Sequence, residues 1–165
     1  MLPGNGHAFV PYEVTAWWNG LQSIVEGGGG LGSTEQDLLA KFRWANRPAT
    51  EGEVEDAQSV LELQLPSEYL TVMRKHGGGE GWVEDGEYLK LWPVSELVAN
   101  NRSLEAKRLV PGVVLIGTNG AGELFAYQSE SGTYWGYPAV GLRADTGKVL
   151  GNSWQDFLRA LSVMA

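Results

Sequence analysis

Four carboxylates, Glu80, Glu84, Asp85 and Glu87, crowd around the dipeptide Asp85-Gly86. Two carboxylates held at a defined separation can hydrolyse a glycosidic bond. Strand alternation and an intervening turn send these four in different directions, so they read instead as charged surface. Such a surface can meet a basic partner or simply face water. The glycines Gly117, Gly120 and Gly122 invite a phosphate cradle. That chemistry needs a Gly-Lys-Ser/Thr run opening a helix, and neither follows them, so a tight turn is expected. Gly147-Lys148 fails the same test. The two histidines, His7 and His76, have no paired zinc spacing. His76 closes a helical pattern, where a cation suits the negative end of the helix dipole. Cysteine is absent, which removes thiolate nucleophiles, thiolate metal sites and disulfides, and suits a reducing cytoplasm. The residues therefore predict no enzyme, no cofactor and no metal site.

Aromatic side chains offer binding rather than catalysis. The chain holds 7 tryptophans. Trp154 has helical apolar neighbours and reads as core. Trp17 and Trp18 are adjacent and cannot both face one side of a helix. Trp82, Trp92 and Trp135 fall on strand patterns. Aromatic rings bury much area with few rotors, which makes them good interface anchors. Glu80, Trp82, Glu84, Asp85, Glu87 and Trp92 are thus the candidate partner-binding residues.

The elements that must position them follow from periodicity. Val14, Trp17, Trp18, Leu21 and Ile24 recur at helical spacing over 14–25, and Gly27–Gly30 breaks that helix. Ser33-Thr34-Glu35-Gln36 reads as a capping box for a helix presenting Leu38, Leu39 and Phe42. Residues 1–46 read as an N-terminal helical elaboration packed on a main domain of residues 47–165. Thr50-Glu51-Gly52-Glu53 caps a helix expected to bury Val54, Ala57, Val60 and Leu61. Pro66 fits the first turn of the next, whose inward residues are Tyr69, Leu70 and Met73, and Gly77 is its left-handed stop. Residues 82–84 and 87–92 read as strands joined by Asp85-Gly86 in a two-residue turn with both residues at positive φ. Pro93 ends the second strand and leads to a helix over 94–99. Strands are expected over 113–116, 123–127 and 133–137. Ser153 caps a final amphipathic helix with Trp154, Phe157, Leu158 and Leu161 on its buried side. Helices, then hairpin-built antiparallel strands, then a helix give an α+β fold.

Composition bounds the partners. The 165 residues carry a net charge of −8, which disfavours nucleic acid and favours a basic protein surface. No apolar run approaches a membrane span. The first ten residues lack a secretory pattern, so a cytoplasmic location is expected.

The runs Arg47-Pro48-Ala49-Thr50-Glu51-Gly52-Glu53-Val54, Leu65-Pro66-Ser67-Glu68-Tyr69-Leu70 and His76-Gly77-Gly78-Gly79-Glu80-Gly81 together resemble the SUKH superfamily. This group contains bacterial immunity proteins related to the yeast cell-wall-assembly regulator (Smi/Knr). Leu115–Glu123 and Asn152–Leu158 extend the resemblance, which spans about Arg47 to Leu161. It implies a sheet backed by helices and a non-enzymatic protein that binds and neutralises a cognate toxin by occluding its active surface. A basic nuclease-type toxin would suit the charge. A regulatory or scaffold interaction module is the alternative, which long disordered flanks would favour. A small carbohydrate-binding or glycan-active domain is the third, which sugar binding without a protein partner would favour.

Overall fold

A computed structural model describes residues 33–164. The helix expected over 14–25, the loop at Gly27–Gly30, and His7, Trp17 and Trp18 lie outside the described residues. The described elements run α1 (Glu35–Leu38), β1 (Arg43–Trp44), α2 (Glu51–Leu61), α3 (Ser67–His76), β2 (Gly79–Trp82), β3 (Tyr88–Leu91), α4 (Val94–Ser103) and α5 (Ala106–Leu109). Then come β4 (Val113–Thr118), β5 (Glu123–Gln128), β6 (Thr133–Pro138), a 3₁₀ turn (Ala144–Thr146), β7 (Lys148–Gly151) and α6 (Trp154–Ser162). All seven strands form one antiparallel sheet in sequence order, β1 to β7. This is the expected α+β class.

The local signals are used with small shifts. Thr50 caps α2 through a full capping box with Glu53. The Ser153 hydroxyl accepts from the Asp156 amide at the start of α6. For α1 the cap is Thr34, not Ser33: Thr34 and Asp37 satisfy each other's backbone amides. The Ser33 hydroxyl instead donates to the Glu84 carboxylate. Pro66 sits one residue earlier than expected, as the N-cap of α3, and Gly77 ends that helix at φ +77°. In α2, Val54 and Ala57 are buried, but Val60 is 47% exposed and Leu61 half-buried. That last turn leaves the core, so an apolar residue in helical register stays wet. The helix after Pro93 reaches Ser103 rather than residue 99.

Residues opposite one another in an antiparallel ladder share a face. Leu89, Leu91, Phe125, Tyr127 and Tyr134 thus point to one side, where α6 lies: Phe157 stacks on Tyr134 with centroids 5.0 Å apart and meets Phe125 edge-on at 5.8 Å. Arg43, Glu80, Trp82, Tyr88 and Lys90 point to the other side. Further along, Trp135 and Tyr137 share that side, and the β6–β7 connection packs on them: a Cβ on Gly147 would lie 2.4 Å from the Tyr137 ring.

Two polar devices hold the junction where β3 stops. Pro93 turns the chain away from β4, which leaves Leu115 without a strand partner on that side. The buried Asn101 amide takes the strand's place, donating to the Leu115 carbonyl (2.9 Å) and accepting from its N–H (2.8 Å). The buried Tyr69 hydroxyl donates to the Trp92 carbonyl at 2.6 Å.

The run from Gly77 to Gly81 is a bed for the chain's own backbone. Added Cβ atoms on Gly77, Gly79 and Gly81 would lie 1.7, 2.8 and 2.6 Å from the carbonyl oxygens of Arg47, Arg43 and Lys41. Only glycine admits a backbone so close.

Candidate partner-binding surface

The β2–β3 connection is longer than the two-residue turn expected at Asp85-Gly86. The Trp82–Tyr88 pair is the last rung, and Val83–Glu87 form the loop. Inside it the Gly86 N–H donates to the Val83 carbonyl at 3.0 Å, so Glu84 and Asp85 are the central residues. Glu84, not Gly86, takes the positive φ, at +50°. The reason is tertiary. The Glu84 N–H donates to the Leu38 carbonyl of α1 (3.0 Å), and the Glu87 N–H to the Leu161 carbonyl of α6 (2.8 Å). The loop is pinned between two helices, and those contacts override the local preference of Asp-Gly.

Pinning scatters the four carboxylates. Asp85 stands outermost, its side chain 94% exposed, and pairs with Lys41 at 2.6 Å. That ammonium holds the Asp85 carboxyl below its usual range. Glu84 is tied to Ser33. Glu87 accepts from the Tyr88 backbone N–H at 2.9 Å. Glu80 lies on the strand face itself and accepts from the Tyr88 hydroxyl at 2.7 Å. Donation to Glu80 and partial burial raise the Tyr88 pKa, against a smaller opposing effect of Arg43. Glu123, half-buried near Lys148 and Glu87, has its carboxyl pushed up, first by desolvation.

The tryptophans separate as sharply. Trp82 is 53% exposed and meets Tyr88 edge-to-face, centroids 5.3 Å apart at 82°. Trp92 is only 7% exposed, in the core below the Tyr69 hydroxyl. Its expected place among the partner-binding residues is corrected: alternation from the buried Leu91 would turn it outward, but the chain leaves the ladder at Pro93 and α3 packs there through the Tyr69 hydroxyl, so Trp92 is buried as well. Sequence reasoning missed Tyr88, Arg43 and Lys90. Register with Trp82 and Glu80 puts them on the same open face, and alternation from Trp82 through a correctly placed loop would have found Tyr88.

The remaining chemistry-like features are occupied by structure. In the β4–β5 turn the Ala121 and Glu123 amides donate to the Asn119 side chain (2.8 and 3.0 Å), and the Gly120 amide to the Thr118 hydroxyl (3.0 Å). These amides point at their own turn rather than at an anion. His76 stacks on Trp44 with centroids 3.9 Å apart at 13°. Burial, then Lys75, lowers its pKa. Among the described residues no group of His, Asp or Glu is arranged to hold a metal ion. No helix of the described residues is long and apolar enough to cross a membrane.

A seven-stranded antiparallel sheet in sequence order, with helices packed against it, accompanies a direct sequence match. The model of the SMI1 / KNR4 family (SUKH-1) matches residues 48–160. The chain belongs to this family. Members of the SMI1/KNR4 family are generally immunity proteins rather than enzymes, and the chain is consistent with that type. None of the curated proteins matches it. The matched stretch begins after β1, so the segment bedded on the Gly77–Gly81 run, Lys41–Arg47, precedes it.

Proposed function

We propose that this SMI1/KNR4 chain is a non-enzymatic immunity-type protein that binds one cognate toxin domain and neutralises it by covering its active surface. The family match over residues 48–160 carries this reading. The net charge of −8 supports a basic toxin surface, as on a nuclease, and a cytoplasmic site of action follows from a toxin of that kind. The contact surface is the open side of β2 and β3 around Glu80 and Trp82, flanked by the loop carboxylates Glu84, Asp85 and Glu87. Trp82 supports this placement, because a large, half-exposed aromatic ring held against a neighbour is a typical interface anchor. The test is co-expression with the toxin domain encoded beside this chain, read as cell survival, with binding measured on the purified pair. Survival and one-to-one binding are expected. A toxin that kills equally with and without the chain, and does not bind it, would sink the reading.

A further inference from the structure

Trp82 is the only exposed aromatic ring among the described residues. It is not loose. Tyr88 meets it edge-to-face, and the Tyr88 hydroxyl is anchored to one oxygen of the Glu80 carboxylate. The second oxygen, Glu80 Oε1, receives no hydrogen bond among the described residues. Glu80 also forms no ion pair there, although Arg43 and Lys90 stand beside it in the ladder. An indole face with a fixed neighbour and an available carboxylate makes a corner for a cation. The ring quadrupole attracts the charge, and the carboxylate accepts its N–H groups. A guanidinium fits better than an ammonium, because it is planar, stacks on indole and gives several donors in a fixed fork. The long-range field of the acidic chain has the right sign, while Arg43, Lys90 and the Asp85-paired Lys41 lie close by. Glu84, Asp85 and Glu87 lie on the adjoining loop, and the whole chain carries −8.

We infer that the Trp82–Tyr88–Glu80 corner seats one arginine side chain of the partner protein. This rests on the proposed toxin-binding reading and specifies one residue the partner would bring to that contact. The ring is already held, so little rotamer freedom is lost on binding. Arg43 and Lys90 on either side then favour an arginine flanked by acidic residues over a uniformly basic stretch, because like charges would otherwise oppose.

Two measurements test this. The first titrates the full chain with N-acetyl-arginine amide, following the Trp82 indole and the Glu80 and Tyr88 amides by NMR. N-acetyl-lysine amide and the neutral N-acetyl-citrulline amide serve as comparisons. Saturable shifts confined to this corner are expected with arginine, weaker ones with lysine, and none with citrulline. Glu80→Gln, which can still accept from Tyr88, and Trp82→Leu should each weaken binding about threefold or more. The double variant Glu55→Gln/Asp56→Asn, on exposed α2, should bind as the wild type. Equal shifts with citrulline, or insensitivity to both corner variants, would overturn the corner as an arginine seat. The second measures the adjacent-encoded toxin domain against the same variants. Losses of about tenfold or more are expected for Glu80→Gln and Trp82→Leu. Toxin bound equally by all variants overturns this inference and leaves the immunity reading standing. Arginine seated in the corner with no toxin bound overturns the immunity reading, and with it the partner half of this proposal.

Discussion

Gly86 sits where the β2–β3 loop touches the last turn of α6. A Cβ there would lie 2.2 Å from the Leu161 carbonyl oxygen and 2.5 Å from the Ser162 backbone. The need for glycine is therefore close approach and not positive φ. Gly86→Ala should cost about 2 kcal/mol or more, since two backbone segments must separate. Thermal or denaturant unfolding measures it, and an unchanged midpoint would show the loop is free of α6. Asn101 is the second such residue. Asn101→Ala leaves the buried N–H and carbonyl of Leu115 without partners, each costing roughly 1–3 kcal/mol. A loss of about 2–4 kcal/mol is expected, with Asn101→Asp recovering little because its charge is buried. Trp82→Leu, by contrast, removes an exposed ring and should change stability by less than about 0.5 kcal/mol.

Elements here are set by caps and pins more than by propensity. Helix α2 starts at the Thr50–Glu53 box, in which both amides are satisfied. Thr50→Ala should cost about 1 kcal/mol, read by equilibrium unfolding, and a loss near zero would mean the first turn frays without consequence. His76 reports on the join between α3 and β1. Its pKa lies below the usual value, so the unfolded chain takes up a proton before the folded one does. The neutral ring's contribution is present above the ordinary histidine pKa, about 6.5, and is lost as pH falls through the lowered folded value. Stability should therefore decline as the solution is acidified below neutrality, and His76→Gln should flatten that decline. An identical pH profile for the variant would place the cause elsewhere.

At the scale of the molecule, charge governs approach. The −8 chain should meet a basic toxin faster at low ionic strength. Exposed charges act over a Debye length of about 8 Å at physiological salt. Association should therefore slow several-fold as salt rises, while dissociation changes little. Glu84→Lys/Asp85→Lys/Glu87→Lys should slow association further and reduce protection in cells. The Lys41–Asp85 pair is exposed on both sides and should contribute little to stability. An association rate independent of salt and of this triple change would place the interface away from the loop.

Much was legible in the chain alone because its causes are local. Thr50 with Glu53, Ser153, Gly77 and Pro93 mark element ends through hydrogen bonds and φ preferences that act within a few residues. Alternation and apolar runs likewise exposed β4, β5, β6 and the α6 face. The edge strands β1 and β7 escaped, and β2, expected over 82–84, lies at Gly79–Trp82, because its glycines carry no side-chain alternation. The turn at Asp85-Gly86, the burial of Trp92 and the exposure of Val60 were decided by tertiary contact. Leu38 and Leu161, far apart in sequence, capture the amides of Glu84 and Glu87 and reshape a loop whose own residues prefer a tighter turn. The glycine run from Gly77 to Gly81 was visible, but its occupant, the backbone of Lys41–Arg47, was not. Close backbone approach leaves no mark on the segment that approaches. The same holds for the candidate site: residue types announced charge and aromaticity around Glu80 and Trp82, whereas only strand register placed Tyr88, Arg43 and Lys90 beside them.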